Sequence, residues 1–160
     1  TLVFAVLVAI SAFQTVTLQE SAMEPTYSVG EKFFVNRALY KFSSPKRGDV
    51  IVFKTSASDS AALHIRRVIG LPGETVQVKD GQVYINGKVY EENGAYQDMT
   101  DGGLADSAVT LESGEYFVLG DNRNNSEDSR FSDIGNINKK YIVGKIWFTV
   151  SPKNKIGFIK

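Results

Sequence analysis

The residues of this chain that could carry chemistry gather in three short stretches: SAMEPT (residues 21–26), HIRRVIGLPGE (residues 64–74) and GDNRNNSEDSR (residues 120–130). The chain has no cysteine, which excludes thiol catalysis, disulfides and cysteine-ligated zinc, and its single histidine, His64, excludes a multi-histidine metal site. His64 stands two residues before Arg66 on a strand-like run, so the period of two turns both side chains to one face. The GDNR turn reads as structural, because Asp and Asn side chains can tie a turn to its own backbone.

The elements that must position these stretches read as β structure. Residues 33–36, 49–54, 64–70, 74–79, 82–90, 115–120 and 141–150 are short runs rich in Val, Ile, Phe and Tyr, closed by turn residues, the pattern of successive antiparallel strands. KDG at residues 79–81 and NGK at 86–88 are hairpin signals, and LPGE at 71–74 fits a type II turn. Helical periodicity is weak apart from ALYKF after Arg37. Residues 91–108 are polar, Gly-rich and acidic, and read as a mobile surface excursion between strands.

A chain of 160 residues needs only one domain. Its 18 Lys/Arg balance 18 Asp/Glu without long runs of either sign, so nothing in the charge pattern points to nucleic acid. The first residues, TLVFAVLVAISAF, form an uncharged apolar run shorter than the roughly 20 residues that span a bilayer. A signal peptide lacks its basic start here, and a buried strand or helix fits the length. The reading adopted is a truncated transmembrane anchor over residues 1–13, because the polar, strand-like QTVTLQE follows directly, with a β domain over residues 14–160.

Together with RGDVIVF (residues 47–53), the three stretches, in this order, resemble the type I signal peptidases, membrane-anchored serine endopeptidases that remove signal peptides from exported proteins. The resemblance implies a mainly β, signal-peptidase-type fold of coiled antiparallel sheets behind an N-terminal membrane anchor. It also implies a serine before Met-x-Pro-Thr as nucleophile and a buried, neutral lysine before Arg-Val-Ile-Gly as general base. Those positions hold Ala22 and Arg66. Alanine has no nucleophilic atom, and a guanidinium stays protonated in essentially any protein site.

The supporting residues match the family better. The resemblance implies that Ser126 hydrogen-bonds the residue at the base position and that Asp128 and Arg130 form a bracing ion pair. The oxyanion hole is implied at the backbone N–H of Ala22, helped by the residue two before, here Glu20, whose carboxylate would repel a developing oxyanion. Ser21 lies one residue early, which in an extended segment turns it to the opposite face. A rewired Ser21/His64 dyad is one alternative, against a histidine that merely packs or hydrogen-bonds.

Substrate, by the same resemblance, adds as a β-strand between the backbone edges of Gln19, Glu20 and Ser21 and of Leu63, His64 and Ile65. Met23, Tyr27 and Ile65 then line shallow pockets for small side chains, although Met23 and Ile65 are equally readable as core. A fixed charge on Arg66 calls for Glu20 or a partner's carboxylate beside it. Three functional readings follow. The preferred one is a non-catalytic relative, like the signal-peptidase-like proteins encoded with Gram-positive pili, that binds peptides or pilins as an assembly factor. The others are a type I signal peptidase in an inactivated form and a peptidase with the Ser21/His64 dyad. Expected partners are signal peptides of exported preproteins or pilin subunits, and the cell membrane, with the functional domain on its extracytoplasmic side. No metal or organic cofactor is implied.

Overall fold

The apolar runs become strands because each offers one side chain in two to a common face, and three apolar clusters take up those faces. The computed structural model of the protein describes residues 13–58 and 60–159. In chain order its strands are β1 (Phe13–Thr17), β2 (Lys32–Asn36), β3 (Val50–Phe53), β4 (His64–Gly70), β5 (Thr75–Lys79), β6 (Gln82–Ile85), β7 (Lys88–Val89), β8 (Val109–Thr110), β9 (Glu115–Leu119), β10 (Ile137–Asn138), β11 (Ile142–Ser151) and β12 (Gly157–Phe158). One α-helical turn, α1 (Leu39–Phe42), follows β2. The fold is mainly β, as expected, and every strand pair is antiparallel.

Two sheets result. The larger runs β1-β2-β11-β3-β4-β9-β10, with β12 added on β11, and the smaller runs β7-β6-β5-β8. Register shifts along β11 and near the end of β4 mark bulges, which bend and twist the larger sheet. β4 is buried on both faces, with Ile65 in the first cluster, Val68 in another and Ile69 in a third. It pairs with β3 from His64 to Arg67, but its pairing with β9 begins only at Arg67. The stretch from His64 to Arg66 therefore keeps one backbone edge without a partner strand among the described residues.

The turn chemistry follows the sequence. Asn86 and Gly87 both have positive φ, 51° and 78°, the type I′ geometry that splits residues 82–90 into the β6–β7 hairpin. Gly73 at φ 86° completes the type II turn, with the Glu74 N–H donating to the Leu71 carbonyl at 3.1 Å.

The segment 91–108 departs from a mobile loop. Much of it is exposed, but Met99 and Ala105 are buried in the cluster between the smaller sheet and β9, and residues 103–106 form a 3-10 turn. Apolar burial at these points fixes a stretch whose composition alone reads as solvated. Of the expected anchor, residues 1–12 lie outside the described residues, and Phe13 already opens β1. Among the described residues no helix is long and apolar enough to cross a membrane.

Candidate functional site

Residues 18–23 bring Ala22, where the resemblance implied the nucleophile, to the free edge of β4. Leu18 continues the β1–β2 ladder by donating to the Glu31 carbonyl (2.9 Å) and accepting from the Gly30 N–H (2.8 Å). The chain then closes a 3-10 turn, Ser21–Met23, in which Ala22 and Met23 are buried. The expectation of an extended segment is therefore corrected at Ser21: the turn sets its direction, and a period of two does not apply.

The 120–125 turn clamps this 3-10 turn. The Asn122 N–H donates to the Ala22 carbonyl at 2.9 Å, Asn122 Nδ2 to the Ser21 carbonyl at 3.1 Å, and Asn125 Nδ2 to Ser21 Oγ at 3.2 Å. Gly120 permits the approach, since a Cβ there would run into Ser126 Oγ and the Ala22 carbonyl. The GDNR turn was expected to tie its side chains to its own backbone, and only Arg123 does so, donating from Nε to the Gly120 carbonyl at 3.1 Å. Asp121 instead takes a bidentate pair from Arg67, at 2.8 and 2.6 Å.

At Arg66, where the resemblance implied the base, the side chain is only 1% exposed, and each of its nitrogens is engaged. Nε donates to the Glu127 carbonyl (2.7 Å), Nη1 to the Ile65 carbonyl (2.8 Å), and Nη2 lies 2.7 Å from Glu20 Oε2 as an ion pair outside hydrogen-bond alignment. His64 Nδ1 is 3.0 Å from the other Glu20 oxygen, and its ring stacks on Phe53. Glu20 thus supplies the carboxylate expected beside Arg66, whose burial unpaired would be costly. Ser126 Oγ, expected to bond the residue at this position, is buried with no hydrogen-bond partner among the described residues. No hydrogen bond joins Ser21 Oγ to His64 among the described residues: Ser21 Oγ accepts from Asn125, and His64 Nδ1 faces Glu20.

The His64 hydrogen bond first, and the Arg66 charge with it, hold the Glu20 carboxyl at about 2 despite partial burial. Because this lies below the ordinary value of 4.5, the carboxylate contributes stability that is present above about pH 4.5 and is lost as pH falls through about 2. Glu20→Gln is expected to remove that contribution. In thermal melts the gap between parent and variant should be widest near neutral pH and close on acidification; a gap that stays constant with pH would contradict it.

Behind the turn, Asp128 and Arg130 form the expected ion pair, 0% and 2% exposed, with Arg130 Nε 2.8 Å from Oδ1 and Nη2 2.9 Å from Oδ2. Arg130 also donates to the carbonyls of Asp101 (3.0 Å) and Arg123 (2.7 Å), while its own carbonyl accepts from the Leu104 N–H at 2.7 Å. Arg123 makes two 2.5 Å contacts to Glu92 and lies over the Tyr96 ring. Sequence reasoning missed Glu92, Tyr96 and Asp101. Their signal was the isolated acids and aromatic of a Gly-rich segment opposite an arginine-bearing turn, too weak to read without the contacts.

A cleft of about 490 Å³ lies over these groups, lined by Glu20, Ser21, Ala22, His64, Arg66 and Ser126 and closed by residues 124, 125, 127 and 131. Met23 and Ile65, expected to line pockets, are 0% and 3% exposed and belong to the core with Phe33 and Val52, and Tyr27 and Leu63 pack against that core. Gln19 is exposed beside the cleft. Val68 exchanges backbone bonds with residues 48 and 49, so by antiparallel alternation Ile65 presents its N–H and C=O to the free edge. There the carbonyl already accepts one bond from Arg66 and keeps a second lone pair.

Ala22, on the 3-10 turn, and Arg66, on the buried strand β4, thus border one cleft of an antiparallel β fold. Residues 1–151 match the family model described as signal peptidase, peptidase S26, and the chain belongs to that family. It is 34% identical to a signal peptidase I of Bacillus licheniformis over 96% of this chain and 85% of that protein. With a signal peptidase I of Leptolyngbya laminosa it shares 40% identity, over 88% of this chain and 70% of that one. A solved signal peptidase I of Enterococcus faecalis V583 is 32% identical and aligns with a TM-score of 0.49 over 64% of this chain and 97% of its own.

Proposed function

We propose that the chain handles signal peptides, the substrates that its relatives' name states, and that with Ala22 and Arg66 in place it holds them without cutting. The observation that carries this reading is the side chain of Arg66. It is buried where the resemblance puts the base and tied to Glu20, with a methyl group at Ala22 where the resemblance puts the nucleophile, so neither of these two residues can abstract a proton or attack. The peptide would add as a strand along Ile65, whose outward edge lacks a partner strand, and face the turn at residues 20–22. Residues 1–12, before the Phe13 that opens β1, act in this reading as part of a single membrane anchor, with the β domain outside the cytoplasm.

A second reading, a signal peptidase disabled at two positions, is favoured by the relatives' names and by the partnerless Ser126 Oγ, which waits where a lysine amine would donate. Pilin subunits as the bound chains rest on the loss of the dyad alone. Strand addition is tested with peptides ending their signal region in Ala-x-Ala and carrying N-methyl groups at alternate residues. In one alternation each methyl is expected to weaken binding by about fivefold, the value of one backbone hydrogen bond, and in the other to change little. Equal binding of both methylated series would overturn strand addition.

A further inference from the structure

The cleft beside Ala22 already holds a carboxylate, and it belongs to the protein's own chain. Glu20 reaches across from the turn at residues 20–22 to β4, setting Oε1 3.0 Å from His64 Nδ1 and Oε2 2.7 Å from Arg66 Nη2. The three partners differ in how firmly they are held. Arg66 is fixed from behind, with Nε on the Glu127 carbonyl and Nη1 on the Ile65 carbonyl, and the His64 ring is stacked on Phe53. The Glu20 side chain is 37% exposed and touches both partners through its carboxylate, so rotation about its own side-chain bonds releases it to water. Arg66 and His64 therefore form a rigid carboxylate seat whose occupant can leave.

A further donor stands in the same cleft. Ser126 Oγ is buried on its wall with no hydrogen-bond partner among the described residues. It lies close to Ala22: a Cβ on Gly120 would meet Ser126 Oγ at 2.1 Å and the Ala22 carbonyl at 2.5 Å. A buried hydroxyl without a partner costs free energy that an incoming acceptor recovers. Exchanging one carboxylate for another also leaves Arg66 with a counter-charge throughout, which spares the cost of a buried unpaired guanidinium. The path to the seat is the edge of β4 at Ile65 that lacks a partner strand. A strand laid there toward the turn brings a main-chain group to the seat. Where the strand's chain continues, that group is a neutral amide; where it ends, it is a carboxylate, and only the carboxylate can replace Glu20.

We propose that the cleft prefers a peptide that ends there in a free α-carboxylate, the end that hydrolysis leaves on a signal peptide, over a peptide whose chain continues. The proposal rests on strand addition along Ile65 and names the chain end that this site favours. The test measures, by calorimetry at neutral pH and fixed salt, the binding of a peptide ending in Ala-x-Ala as the free acid, the same peptide as its amide, and one that continues for several residues. The acid is expected to bind the parent about tenfold more tightly than the other two, the low end for hydrogen bonds to a charged group because Glu20 has first to leave. Glu20→Gln removes that competitor and is expected to widen the gap to about 100-fold. Glu127→Gln, which takes the same charge from the exposed rim of the cleft, is expected to widen it by less than about threefold. Ser126→Ala should cost the acid about fivefold and leave the amide unchanged. Thermal melts check that each variant is folded, and the comparison of peptides on the parent needs no variant. Equal binding of acid and amide to the parent would overturn the seat and leave strand addition standing, whereas no binding by any of the three would refute strand addition and the seat with it. Equal widening by Glu20→Gln and Glu127→Gln would reduce the effect to net charge and refute a seat at Arg66.

Discussion

Ala22→Ser with Arg66→Lys is expected to yield only a trace of cleavage of an Ala-x-Ala peptide at neutral pH, and adding Glu20→Gln is expected to raise the rate by about 10- to 100-fold. The reason is the carboxylate that now pairs with Arg66. A lysine amine in this buried place would be driven toward its neutral, basic form by desolvation, but an opposite charge within hydrogen-bonding reach favours the ammonium and moves its pKa up by about 1–3 units. Each unit removes about tenfold of the neutral amine at a pH below that value. Initial rates measured against pH should therefore place the rising limb of the double variant above that of the triple variant. Identical profiles would mean that Glu20 does not act on position 66.

Asp128→Ala is expected to cost about 3–5 kcal/mol, because it leaves the Arg130 guanidinium buried without its counter-charge. For a chain of this size that is a fall of about 10 °C in melting temperature. The damage should spread to the excursion, since Arg130 holds the Asp101 carbonyl and receives the Leu104 N–H. Hydrogen exchange in residues 98–106 should accelerate with it. Asp128→Ala/Arg130→Met should recover much of the loss, because an apolar replacement has no charge to leave unpaired. A single variant within about 1 kcal/mol of the parent would show that the pair is not a brace.

These effects differ in how far the sequence showed them. Strand runs, the Asn86–Gly87 hairpin and the Leu71–Glu74 turn were legible because they depend on local alternation and on φ preferences of single residues. The Glu20–Arg66 pair was legible too, since a buried guanidinium has to find a carboxylate. Its distribution of bonds was not: whether Glu20 also takes His64 depends on a turn, Ser21–Met23, that reads as extended in sequence. Met23 and Ile65 carried the same ambiguity, because an apolar residue beside a cleft and one in the core look alike until packing decides. The anchoring of residues 91–108 through Glu92, Met99 and Ala105 arises from contacts across long sequence separations, which periodicity does not report.

The central claim, that the chain holds a signal peptide and does not cut it, is tested most directly by incubating the chain as written with a preprotein carrying an Ala-x-Ala signal peptide and following both by mass and by co-elution. The account predicts an intact preprotein that co-elutes with the chain and is displaced by excess signal peptide. Release of the mature protein above the rate without the chain would contradict it.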